Sequence, residues 1–344
     1  MKHRELIERL LESSNNEGKK VENYGLLNGK AGLCLYYYVT GRNLKSPEHT
    51  QKGHQLLDEL YQGLTPQIPL DIPNGLAGIV LALSYLIRNG YSTGNINVVA
   101  KNIDSHIYRT ICNAMDMDMK DKAAVPMIDI FLYVNMRYRD MEDEDERWIM
   151  RRLMIELMNY IYINRPETFF LEPLPFSMQY PLCEYIWALV QMHRMGIERR
   201  RINFILREMH YIVFAQRPML QANRLLLAYV AALVADELDL PEWKEFADSL
   251  CRSIDIKYIL YKEMNDKNIF AQDGVIAVYL LIKAYNRLLE EKLFCDEHEL
   301  LHRIEKSSAW ERVNREKEYF EKHSSLQGFC GTLLFMDYLK NKAQ

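Results

Sequence analysis

Asn74-Gly75-Leu76-Ala77-Gly78-Ile79 is the stretch on which the fold turns. Two glycines three residues apart, with a small side chain between them, open a long apolar run. The signature returns at Asn28-Gly29-Lys30-Ala31-Gly32-Leu33 and at Gln327-Gly328-Phe329-Cys330-Gly331-Thr332. A degenerate copy runs from Pro181-Leu182-Cys183-Glu184 to Met195-Gly196-Ile197, in register with Gly75 through Tyr91. Self-similarity at a fixed period marks a repeat architecture. Gly29 and Gly75 are 46 residues apart; Gly75 to Pro181 holds two units of 53, and Pro181 to Gly328 three of 49. The missing units are therefore expected near residues 125, 222 and 271. Apolar helical stretches stand there: Pro126 to Tyr138, Ala222 to Leu238 and Gly274 to Leu289.

Amphipathic segments alternate with these apolar ones. Arg4 to Leu11, Gln51 to Leu64, Val98 to Met115, Glu144 to Tyr162, Arg199 to Phe214, Trp243 to Tyr261 and Glu297 to Phe320 carry apolar residues at helical spacing with charges opposite. Each unit thus reads as an amphipathic helix followed by a more apolar one. A helix apolar nearly all round must be buried on several sides, which predicts two layers, apolar helices inside and amphipathic ones outside. An open solenoid needs polar capping repeats, yet the first and last units hold two of the clearest copies of the signature. The expectation is an all-α fold, an α/α toroid of about seven helical hairpins in a single domain over residues 1–344. The glycines provide Cβ-free strips that a neighbouring helix or loop can approach closely.

Composition narrows the function classes. Glycine (15) and proline (11) are scarce, as a helical chain requires, and the net charge of −4 offers nothing to nucleic acid. The longest apolar runs are interrupted before the 18 or so residues of a membrane span. The charged start, Met1-Lys2-His3-Arg4-Glu5, lacks the apolar core of a signal peptide, and the six cysteines form no CxxC pair. A cytoplasmic protein with reduced thiols is expected.

The Gly-Leu-Ala-Gly-Ile run at 75–79, its copies at 29–33 and 328–332, and the seven-unit count together resemble the lanthionine synthetase C-like (LanC-like) family. That resemblance implies an α/α toroid with its centre where the inner helices begin. It also implies a zinc-bound peptide thiolate that adds to a dehydrated serine or threonine, zinc serving to lower the thiol pKa. The family's ligands are a cysteine before the fifth inner helix and a Cys-His-Gly before the sixth. Here those places read Leu220-Gln221-Ala222-Asn223 and Ile269-Phe270-Ala271-Gln272-Asp273-Gly274, and no Cys-His dipeptide occurs anywhere. The expectation is a divergent member with no zinc and no other cofactor. A relocated site would draw on Cys34, Cys330 and His323; the simpler reading of both thiols is as small buried hydrophobes.

Parallel inner helices would turn their N-termini, each worth roughly half a positive charge, toward one end, which suits anions and needs carboxylates for balance. Asp129, Glu184 and Asp273 are the candidate catalytic carboxylates. Glu184 replaces the second glycine of its sister repeats. Tyr185, Trp187, Gln272 and Asn74 are the candidate ligand-binding residues, and the inner-helix tyrosines would suit a peptide or a sugar. Two functions compete with a ligand-free scaffold. One is binding or helping to modify a ribosomal peptide, with a peptide substrate or a peptide-modifying enzyme as partner. The other is a glycosidase-like α/α toroid that works through a carboxylate pair.

Overall fold

A computed structural model describes residues 3–15, 23–116 and 126–342 of the 344-residue chain. Among the described residues all regular structure is helical. The apolar series is α2 (Lys30–Leu44), α4 (Leu76–Arg88), α6 (Met127–Tyr138), α8 (Pro181–Arg194), α10 (Gln221–Leu238), α13 (Val275–Tyr285) and α17 (Phe329–Lys342). Every one begins within a residue of the opening of its signature or apolar stretch, whereas spacing alone falls two residues short at α6 and four short at α13. Residue 125 lies outside the described residues, but Pro126 stands at the N-cap of α6.

The amphipathic series is α1 (His3–Asn15), α3 (Pro47–Gly63), α5 (Ile96–Asp116), α7 (Glu144–Asn164), α9 (Arg199–Ala215), then α11 (Pro241–Cys251) and the single turn α12 (Ile256–Tyr258), then α14 (Glu297–Glu305), α15 (Ser308–Arg315) and α16 (Lys317–Lys322). Two expected continuous helices are broken. Trp243 to Tyr261 stops at Cys251 and restarts after Asp255, whose carboxylate accepts from the Lys257 and Tyr258 amides. Glu297 to Phe320 splits into three, with the Ser307 hydroxyl accepting from the Trp310 amide at one break. Side chains that cap a new helix start outcompete a helix continued by periodicity alone.

The signature glycines owe their place to a wrapped loop. The capping residues Gly29, Gly75 and Gly274 have extended backbones that any residue could adopt. The segment before each helix, however, folds back so that its carbonyls meet the first-turn amides. Lys30 N donates to Asn23 O (3.0 Å), Leu76 N to Pro69 O (2.8 Å), Val275 N to Asn268 O (2.9 Å) and Phe329 N to His323 O (2.8 Å). A Cβ on Gly75 would stand 2.1 Å from Pro69 O, and one on Gly78 2.0 Å from Ile72 O. These loops satisfy the orphan donors of the helix start with the chain's own carbonyls.

The chain divides into two compact units, 1–153 with 313–344, and 154–312. In the first, α2 packs on α3, α4 and α17, and α4 on α5 and α6. Its loops are stitched in the same order: Gln327 N donates to Leu27 O (2.9 Å), and Leu27 N to Pro73 O (3.0 Å). The last hairpin therefore lies against the first, as the missing polar caps suggest. In the second unit α10 is central, packed on α8, α11 and α13. Inner-helix tyrosines reach outer helices in both: Tyr37 Oη donates to Leu10 O (2.9 Å) and Tyr185 Oη to Met158 O (2.8 Å).

Candidate functional site

In the first unit the loops before α2 and α4 and the first turn of α6 form a polar cluster. The Asn74 side-chain carbonyl accepts from Asn23 Nδ2 (2.7 Å) and from Asn28 Nδ2 (3.3 Å), while its main-chain amide donates to Asp71 Oδ1 (2.5 Å). Asp129, in the first turn of α6, accepts a hydrogen bond from the main chain of Ile72. Burial, and secondarily the charge of Asp71, push the Asp129 carboxyl up to about 6; the Ile72 bond offsets part of that rise. A half-buried acid that exchanges its proton near pH 6 thus feels a second carboxyl, Asp71, which is tied through the Asn74 main chain to the Asn23–Asn28–Asn74 side-chain network. Sequence reading found Asp129 and Asn74. It missed Asp71, Asn23 and Asn28, although Asn28 and Asn74 precede sister glycines and so occupy one repeat position.

The other candidates lie in the second unit. Glu184 is half-buried in the first turn of α8 and its amide donates to Tyr180 O. Its sister glycines are pressed by a loop carbonyl six residues back, Leu26 O against Gly32 and Ile72 O against Gly78. The loop before α8 runs differently: Met178, six residues before Glu184, sends its amide to Gln272 O (3.1 Å). That departure leaves room for a side chain at 184. Tyr185 is fully buried and Trp187 half-buried. Burial raises the Asp273 carboxyl above its ordinary range. Gln272 meets the α8 loop through its carbonyl, and so serves as an anchor there.

At five of the inner helices, first-turn amides are taken by the chain's own acceptors, carboxylates at α10 among them. The loop carbonyls already take those of α2, α4, α13 and α17, and two carboxylates that sequence reading missed take those of α10. Glu263 accepts from the Gln221 and Ala222 amides (2.6 and 2.9 Å). Glu172 accepts from the Met219 and Leu220 amides (2.7 and 2.8 Å) and from Asn223 Nδ2 (2.8 Å). Both lie about 45 residues from their partners in sequence, beyond the reach of any local capping rule.

The residues do not fit the zinc that the family resemblance would bring. At the start of α10, Gln221 Oε1 accepts from the Asp255 amide (2.6 Å) and the neighbouring amides are held by carboxylates, with no thiol among them. Among the described residues no three His, Cys, Asp or Glu side chains gather as a metal site. Cys34 Sγ donates to Gly53 O and Cys330 Sγ to Ser324 O. Burial pushes Cys34 up to about 12 and raises Cys330 as well, so both thiols keep their protons at neutral pH. His323 Nδ1 donates to Tyr319 O (2.9 Å). No helix among the described residues is long and apolar enough to cross a membrane. Compared with known proteins, the chain matches no family model and no curated protein.

Proposed function

We propose that this chain is a zinc-less, LanC-like α/α toroid that binds a ribosomal peptide where its inner helices begin, assisting modification of that peptide. The observation that carries the reading is the cluster of Asp71, Asp129, Asn23, Asn28 and Asn74. Asparagine amides and carboxyls are the groups that pair with peptide N–H and C=O. An acid tuned to about 6 can deliver or accept a proton at a carbon or heteroatom beside a carbonyl. The packing of α17 on α2 supports the expected contact of the last hairpin with the first.

Fluorescence polarisation with labelled Ser-, Thr- and Cys-rich peptides tests the reading. Wild-type protein should bind, and Asp129→Asn together with Asn74→Ala should weaken binding at least tenfold while the fold holds. The carboxylate pair Asp71 and Asp129 also favours a second reading, a carbohydrate-active enzyme. Binding of neutral oligosaccharides with no response to peptides would select it.

A further inference from the structure

The strongest site outside that cluster is a cavity of about 1060 Å³ in the first unit, walled by α1, the start of α2, α3, the end of α16 and the loop before α17. We propose that this cavity is the peptide channel, holding an extended, net-uncharged peptide segment whose end reaches the Asp71–Asp129 cluster. The inference rests on the peptide-binding reading above and gives it a location. Three features carry it.

The first is Lys30. It occupies the first helical position of α2, where its sister residues are the buried Leu76, Val275 and Phe329. A cation at a helix N-terminus opposes the helix dipole, and this one is only 7% exposed. Glu59 holds it at 2.6 Å beneath the ring of Tyr24. An ammonium group has three protons; Glu59 accepts one, and a ligand carbonyl would have to meet another beside the Tyr24 ring. Residues that break a local rule at a cost in stability concentrate at functional sites.

The second is the chemistry of the walls. Three lysines (30, 52, 322) face three glutamates (48, 59, 321), so the cavity favours no net charge. Ser13, Gln51, Gln55, Ser324 and Ser325 add neutral donors and acceptors, and Leu10, Leu33 and Leu56 add apolar ground. A main chain with mixed side chains needs that combination. A sugar would want an exposed aromatic platform. The aromatic wall residue is Tyr37, which is 1% exposed with its hydroxyl committed to Leu10 O. The third is continuity: Asn28 lines the cavity and also donates to Asn74 in the carboxyl cluster.

The test uses the full chain, the labelled Ser-, Thr- and Cys-rich peptides and two channel variants. Gln55→Trp fills the channel from an exposed position on α3, and Lys30→Met removes the wall ammonium at similar volume. Melting temperatures certify both folds, and Gln55→Trp keeps the test valid if Lys30→Met fails to fold. The expected result is at least a tenfold loss of peptide affinity in each folded variant. Peptides that bind both variants like wild type would overturn the channel and leave the peptide reading intact. No peptide binding to wild type up to about 1 mM, an affinity of roughly −4 kcal/mol, would overturn both. Loss in Asp129→Asn alone would confine the site to the carboxyl cluster.

Discussion

Asp129 makes a prediction about pH that a solvent-facing carboxyl would not. Its folded-state pKa of about 6 lies above the ordinary 3.8 of an unfolded chain. The folded form therefore holds its proton more tightly between those values, and stability falls as pH rises from about 4 to 6. At roughly 1.4 kcal/mol per pKa unit, the loss is about 2 to 3 kcal/mol. Asp129→Asn should raise the melting temperature at pH 7 and flatten its dependence between pH 4 and 6. Parallel curves for the two proteins would show that Asp129 titrates normally. Gly75 gives a second residue-scale outcome. Its substitution by Ala drives a methyl into Pro69 O and should cost about 2 kcal/mol or more in urea unfolding, as overpacking does. Gly90→Ala should cost less, because no neighbour stands within 4 Å there and only its φ of +65° opposes the change. Sequence reading located Gly75, but not the Pro69 carbonyl against it, since a folded-back loop leaves no periodic trace.

The seven inner helices were legible because burial on all sides writes an unbroken apolar run behind a fixed signature. Their capping was not. Asp255 and Ser307, which interrupt two outer helices, act within three residues and carry a readable signal. Glu172 and Glu263 act on α10 across tens of residues, and only the fold brings them there. Each accepts more than one amide, and a charged acceptor of this kind contributes roughly 1.5–3 kcal/mol. Glu263→Gln should therefore destabilise the second unit by about 2 kcal/mol, seen as faster amide exchange in the first turn of α10. Unchanged exchange there would mean that the Gln221 and Ala222 amides find other acceptors at no cost. Basic residues act similarly at the other ends of the inner helices. Arg42 reaches the Asn89 and Gly90 carbonyls, Arg88 reaches Asp140, and Arg194 joins His193 on Glu237. Successive hairpins are thereby tied end to end.

Across the whole molecule, the repeat count was legible and its partition into units was not. The boundaries near residues 153 and 312 fall within α7 and α15, where the amphipathic pattern continues without a break. The first unit draws on both ends of the chain. Removing residues 329–342 should thus expose α2 and loosen its neighbours, although more than 280 residues separate α17 from α2 in sequence. Hydrogen exchange on the truncated protein should show protection lost in α2 and α4 well before α10. Equal protection in all three would mean that α17 contributes nothing to the first unit.

The same feature orders events on the ribosome. Residues 154–312 are contiguous and can consolidate as soon as they leave the exit tunnel. The amino-terminal hairpins emerge first yet complete last, because the helix that packs against α2 is the last described one to be synthesised. Translation at about 5–20 residues per second leaves them waiting many seconds with the α17-facing side of α2 uncovered. Nascent chains stalled before residue 329 should therefore be bound by chaperones through α2, and released once α17 has been made.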